Sequence, residues 1–213
     1  MSSNNQNNVS GAKTTNQLGK RQQNRERILA VVAGGICIAL SFVLSQLKLF
    51  EMPMGGSVTP AATLPLILYC FAFGPAWGFG VCFVYSLLQL IGGYLLFPLQ
   101  VMLDYILAYT CVGVATFASP AKSIRQANTS IIGRLRQIKF LPATIWAFVG
   151  FVLRLLCSVL SGVIFYAEYA GDQNVWVYSI TYNGGFMLPE AIITLIMMYI
   201  VLVALGAWRK KKA

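Results

Sequence analysis

Histidine is absent from this 213-residue chain. That absence excludes histidine acid–base catalysis near neutral pH and the histidine-ligated zinc sites used inside membranes. Charge is the second scarcity. Only 10% of residues are charged, against about 25% in an ordinary soluble domain. The motif GxxxxGKS/T is also missing, so the chain encodes no P-loop ATP site. The five cysteines (Cys37, Cys70, Cys82, Cys111, Cys157) lie inside apolar runs without CxxC spacing. They read as small buried hydrophobes rather than disulfide partners or metal ligands. No cofactor is expected.

What replaces the missing charge is apolar sequence, with 57% of residues hydrophobic. Long apolar runs identify an integral membrane protein. Six apolar segments are legible, at about residues 28–49, 59–74, 76–96, 98–118, 142–167 and 184–207. The expected fold is therefore an all-α polytopic membrane protein with six transmembrane helices. Residues 1–24 are rich in Asn, Gln, Ser and Thr. They are expected to form a disordered cytoplasmic tail ahead of a six-helix membrane domain over 25–213.

The net charge of +10 is not spread evenly. Fourteen of the sixteen basic residues fall in three clusters: Lys13 to Arg27, Lys122 to Lys139, and Arg209 to Lys212. Each cluster abuts an apolar run. With six spans, all three lie on one side, which the positive-inside rule makes cytoplasmic. Nucleic acid is not an expected partner.

Polar residues inside the spans then sort by depth. Asp104 in the fourth span and Glu190 in the sixth each lie about 9 Å below the outer boundary at 1.5 Å per residue. Arg154, Ser158, Gly162 and Tyr166 recur every four residues and form one stripe on the fifth span. Gln100 and Asp104 share a face of the fourth. Asn183 and Glu190 share a face of the sixth, with Tyr178 and Asn183 at the outer rim. Polar stripes in a bundle point inward or into a water-filled cavity. A cavity open to the outside and walled by spans four, five and six is the expected result.

Two readings stay open for Arg154 and Glu190: an interhelical structural pair, or ligand contacts. Their estimated depths differ by roughly 12 Å. Asp104 has no basic residue at its own depth, which favours a ligand role. Summed over Asp104, Arg154 and Glu190, the buried charge is one negative unit, a balance that suits a monocation. The nearby tyrosines and Trp176 serve as interfacial anchors or as aromatic walls for a flat cationic ligand. In the first span, Ala30-Gly34 and Gly35-Ala39 are small-xxx-small steps that permit close helix approach, within the chain or against a partner.

The segments EMPMGGSVT (Glu51–Thr59), FPLQVMLDY (Phe97–Tyr105), SGVIFYAEYA (Ser161–Ala170) and VWVYSITYNGGFMLPE (Val175–Glu190) carry a resemblance. They are similar to the thiamine-specific substrate-binding subunits, or S-components, of energy-coupling factor transporters. The resemblance spans nearly all of residues 28–207. It implies a six-helix bacterial plasma-membrane subunit, not an enzyme, that captures extracellular thiamine. It further implies docking on a transmembrane coupling subunit served by two cytoplasmic ATPases, with Gly35 and Ala39 facing that partner. The implied pocket contains Tyr94, Asp104, Tyr105, Ser158, Gly162, Tyr166, Tyr178 and Asn183, with Gln100, Arg154 and Glu190 in structural or supporting places. Tyr178 and Asn183 would bond the aminopyrimidine end, and Asp104 would face the cationic ligand. Ser158 stands where relatives often carry histidine, and Tyr166 where several carry tryptophan or phenylalanine. The alternatives are a thiamine precursor or related small aromatic amine as ligand, or, in another class, a structural membrane protein.

Overall fold

The computed structural model describes residues 3–53, 56–127 and 130–206, with side chains from residue 19 onward. The C-terminal basic cluster, Arg209 to Lys212, lies outside the described residues. Four helices are long and apolar enough to cross a membrane, and two shorter apolar helices pack with them. The first, α1 (Ser3–Gln46), begins inside the polar N-terminal segment, and its apolar stretch follows in the same helix. A two-stranded antiparallel hairpin follows, β1 (Phe50–Glu51) with β2 (Ser57–Val58), in register Phe50 to Val58.

The short helix α2 (Leu64–Phe73) is the centre of the core, with nine of its residues buried. Its sequence, LPLILYCFAF, is hydrophobic all round, the pattern of a helix enclosed by other helices rather than one with a polar face. Gly74 ends it in the left-handed region, at φ 79°, a conformation that glycine adopts without strain. Pro75 then starts α3 (Pro75–Leu88) at a first-turn position where no backbone donor is lost. The reversal expected at Phe97-Pro98 is a longer extended link, because α3 stops at Leu88.

The fourth span, α4 (Pro98–Ala118), changes its winding along its length. It is α-helical at Pro98–Val101, widens to a π-helix over Met102–Leu107, and returns to α at Ala108–Cys111. It tightens to a 3-10 helix over Val112–Ala118. Such widened turns are rare and concentrate at functional sites. This one contains Asp104 and Tyr105.

Two short helices, α5 (Lys122–Ala127) and α6 (Ile131–Leu135), fill the middle basic loop. There Arg134 donates to both carboxylate oxygens of Glu26 on α1 at 2.6 Å and lies over the Phe73 ring. The fifth span, α7 (Phe140–Phe165), buries Ala143, Ala147, Gly150, Arg154, Ser158 and Gly162 at helical spacing. The polar stripe read from sequence is thus the C-terminal half of one inward-facing row.

The last helix, α8 (Val175–Ala204), departs most from the sequence expectation, which began it near residue 184. The Asn-Gly-Gly run at 183–185 does not break it. The start is set by Asn174, whose side-chain oxygen accepts from the Trp176 and Val177 amides. Pro189 lies inside the helix. This longer helix moves Glu190 from about 9 Å to about 22 Å along its axis. Arg154 lies about 16 Å from the end of α7. The depth gap that argued against their contact therefore falls from roughly 12 Å to about 6 Å, within reach of an arginine side chain.

Candidate functional site

A cavity of about 940 Å³, its open mouth included, lies between the hairpin and α3, α4, α7 and α8. All eight residues of the expected pocket line it: Tyr94, Asp104, Tyr105, Ser158, Gly162, Tyr166, Tyr178 and Asn183. Gln100, Arg154 and Glu190 line it too. The walls are more numerous than the three spans expected, because Ser45 of α1, Tyr85 and Gln89 of the α3 end, and Gly56, Ser57 and Thr59 also face it.

The inner end of the cavity is a polar network, in which the buried Arg154 Nε has no hydrogen-bond partner among the described residues. Arg154 Nη1 donates to Glu190 Oε2 at 3.0 Å, and both residues are buried. The second carboxylate oxygen, Oε1, accepts from Thr59 Oγ1 at 3.0 Å. Arg154 Nη2 donates to Tyr109 Oη at 3.2 Å, and the guanidinium lies 4.4 Å from the Tyr109 ring centroid. Gln89 Nε2 donates to the hydroxyls of Tyr85 and Tyr109, while its carbonyl accepts from Ser45. One chain of bonds therefore links α1, α3, α4, α7, α8 and the segment after β2. A buried pair without such extra partners is costly, because desolvation offsets the Coulomb attraction. Here every charged oxygen has a donor.

The outer part is arranged differently. Asp104 Oδ2 accepts from Gln100 Nε2 at 2.8 Å and from Ser161 Oγ at 2.7 Å. Gln100 is itself fixed by the link before α4, accepting from the Leu96 amide and donating to the Tyr94 carbonyl. Both donors to Asp104 are neutral, and the carboxylate forms no ion pair among the described residues. The cavity's net formal charge is therefore one negative unit, located at Asp104.

Aromatic rings surround that carboxylate. Tyr94 and Tyr166 lie 6.3 Å apart on one side, and the Tyr105 hydroxyl accepts from the Tyr94 amide at 2.8 Å. On the other side, Tyr178 stacks on Tyr182 at 6.1 Å, and Tyr182 meets Phe186 edge-on at 5.9 Å. The Tyr182 hydroxyl donates to the Pro53 carbonyl and accepts from the Gly56 amide, which ties the hairpin over the cavity. Asn183 Nδ2 donates to the carbonyls of Ser158 and Ser179, joining α7 to α8. Gly162 makes this approach possible, since a Cβ there would collide with Ser179 Oγ.

Sequence reasoning missed several lining residues. Tyr182 is one turn beyond Tyr178 and shares its face, a signal that was available. Ser161 was also missed, and it bonds Asp104 directly. Tyr109 is five residues beyond Asp104, a spacing that shares a face only in a widened helix. Trp176 and Tyr169 are exposed and do not line the cavity. The two small-residue steps of α1 face opposite ways. Ala30 and Gly34 are buried against Tyr69 and Val81, whereas a Cβ added at Gly35 would point into open space.

Residues 31–209 match a family described as thiamine transporter protein (Thia_YuaJ). The chain belongs to this family. It is 34% identical over 152 residues to the thiamine transporter ThiT of Bacillus subtilis, covering 70% of this chain and 76% of that one. It is 33% identical over 132 residues to ThiT of Lacticaseibacillus paracasei, covering 56% and 60%. The solved structure of ThiT from Listeria monocytogenes superposes with a TM-score of 0.66 at 23% identity, covering 84% of this chain and 95% of that chain. That likeness establishes the fold. With four helices of spanning length, the family member described here is a multi-pass protein of the cell membrane.

Proposed function

We propose that the chain is a thiamine-binding importer subunit and that Asp104 holds the ligand's positive charge. The observation that carries this reading is the isolation of Asp104 as the cavity's unpaired carboxylate, bonded only by neutral donors. Thiamine is a monocation built of two flat rings joined by a methylene, and a single carboxylate among tyrosine faces neutralises it without a second charge. Tyr94, Tyr105 and Tyr166 supply one aromatic wall, and Tyr178 the other. The two donors of Asn183 are spent on α7 and α8 carbonyls. Its Oδ1 is then the acceptor for the aminopyrimidine amino group. Ser158 and Gly162 form the α7 wall, and Gln100 positions the carboxylate.

Arg154 and Glu190 act as a structural pair in this reading. The two shorter helices complete six spans, with both chain ends cytoplasmic beside the basic clusters. Residues 1–24 extend from the membrane domain 25–213 on that side. The outward Gly35 and Ala39 of α1 meet a transmembrane coupling subunit, and two ATPase subunits supply the energy. The family membership and the missing P-loop support this division of labour.

The test is calorimetric titration of the purified chain with thiamine and with its neutral pyrimidine precursor. Saturable binding of thiamine at micromolar concentration or below, tighter than the precursor, is the expected outcome. No heat and no tyrosine quenching with thiamine would refute the assignment. Tighter binding of the precursor would move the ligand to the alternative.

A further inference from the structure

The basic loop at the other end of the bundle contains a second cavity. It is a groove of about 710 Å³, open mouth included, lined by Arg136, Gln137, Ile138, Lys139 and Phe140 together with Leu202 and Val203. Phe140 is the first residue of α7, and Leu202 and Val203 lie in the last turn of α8. Both helices are of spanning length, so the groove sits where hydrocarbon gives way to water. Its two ends differ in character. Arg136 and Lys139 form the cationic end. The apolar end is built from Leu202, Val203 and the Phe140 ring, which packs edge-on to Tyr199 at 5.1 Å.

The basic residues nearby are not equivalent. Arg134 is engaged by Glu26, and Arg125 is turned inward onto Ser119 Oγ and the Pro120 carbonyl. Arg136 donates through Nε to the Leu205 carbonyl at 2.8 Å, which anchors its guanidinium against the end of α8. The remaining nitrogens of that guanidinium and the Lys139 ammonium are not engaged in a protein ion pair among the described residues. Glu26 is the sole acidic side chain that the described residues bring to this end, and it is already paired.

We propose that this groove is a binding site for one anionic phospholipid. The headgroup phosphate lies between Arg136 and Lys139, and an acyl chain runs along Phe140, Tyr199 and Val203. A phosphodiester is complementary to two cations, and only a ligand with a hydrocarbon tail uses the apolar end. Cytoplasmic basic pockets between membrane helices have the chemistry to hold such headgroups. The inference rests on the membrane-spanning fold and not on the thiamine reading.

The experiment is native mass spectrometry of the full chain in detergent, incubated with equal amounts of phosphatidylglycerol and phosphatidylcholine of the same acyl length. Selective retention of one phosphatidylglycerol is expected. Lys139→Gln should reduce that retention about five-fold, and Lys139→Gln with Arg136→Gln about 25-fold. Lys122→Gln, a charge outside the groove, should leave it unchanged. Because the Lys139 ammonium forms no ion pair among the described residues, Lys139→Gln should also keep the parent's unfolding midpoint. The charge-conserving pair Arg136→Lys with Lys139→Arg should retain the lipid. Equal retention of the two lipids, undiminished retention in the double variant, an equal loss in Lys122→Gln, or loss in the charge-conserving pair would overturn the proposal. So would displacement of the lipid by millimolar inorganic phosphate, which would mark a small-anion site instead.

Discussion

The two buried acidic residues of the cavity differ in their partners, and the difference separates structure from recognition. Glu190 has a cation on one oxygen and a hydroxyl on the other, within a network that joins six segments. Asp104 has an amide and a hydroxyl, both neutral, and no cation. A carboxylate that is already neutralised has little left to offer a ligand. One held in place by neutral donors keeps its charge available. A membrane protein can thus carry several polar groups at depth while using few of them for binding.

Breaking the Glu190 side should give the largest effect on folding. Glu190→Ala leaves Arg154 buried without its counter-ion, and destabilisation of about 3–5 kcal/mol is expected. Thermal unfolding in detergent measures it, and an unchanged midpoint would show that the pair is dispensable. Asp104→Asn should act on the other side of the comparison. Loss of one charge-assisted contact of about 1.5–3 kcal/mol corresponds to a ten- to hundred-fold fall in thiamine affinity. The unfolding midpoint should move little, since an asparagine carbonyl at this position still accepts from Gln100 and Ser161.

Smaller effects sharpen the geometry between these two regions. Gly162→Ala places a methyl group against Ser179 and should cost about 1–3 kcal/mol through forced separation of α7 and α8. A double substitution with Ser179→Gly should recover part of that loss. Tyr182→Phe removes the hydroxyl that ties the hairpin to α8, worth about 0.5–1.5 kcal/mol. Its signature should be faster thiamine release with nearly unchanged global stability.

Much of this architecture was legible in the residues. The stripe of Arg154, Ser158, Gly162 and Tyr166 follows from four-residue spacing alone, and all four line the cavity. Gln100 and Asp104 share a face, and they bond directly. Two features were hidden for physical reasons. Asn183, Gly184 and Gly185 resemble a helix boundary by intrinsic propensity, but they are held inside α8 by packing against α7 and the hairpin. Tertiary contact overrides propensities worth about 1 kcal/mol per glycine. The earlier start was written in Asn174, a capping residue that a hydrophobicity reading passes over. The widened turn of α4 leaves no compositional mark at all, and it alone brings Tyr109 onto the face of Asp104. Depth estimates along a helix are only as good as its assigned start, which is why the Arg154–Glu190 contact was hidden.

The most direct test of the central claim is a thiamine titration of Asp104→Asn beside the parent, with unfolding midpoints measured on the same preparations. Weaker binding by about ten-fold or more with a parental midpoint is the predicted result. Parental affinity in a folded Asp104→Asn protein would contradict it and remove the unpaired carboxylate from recognition.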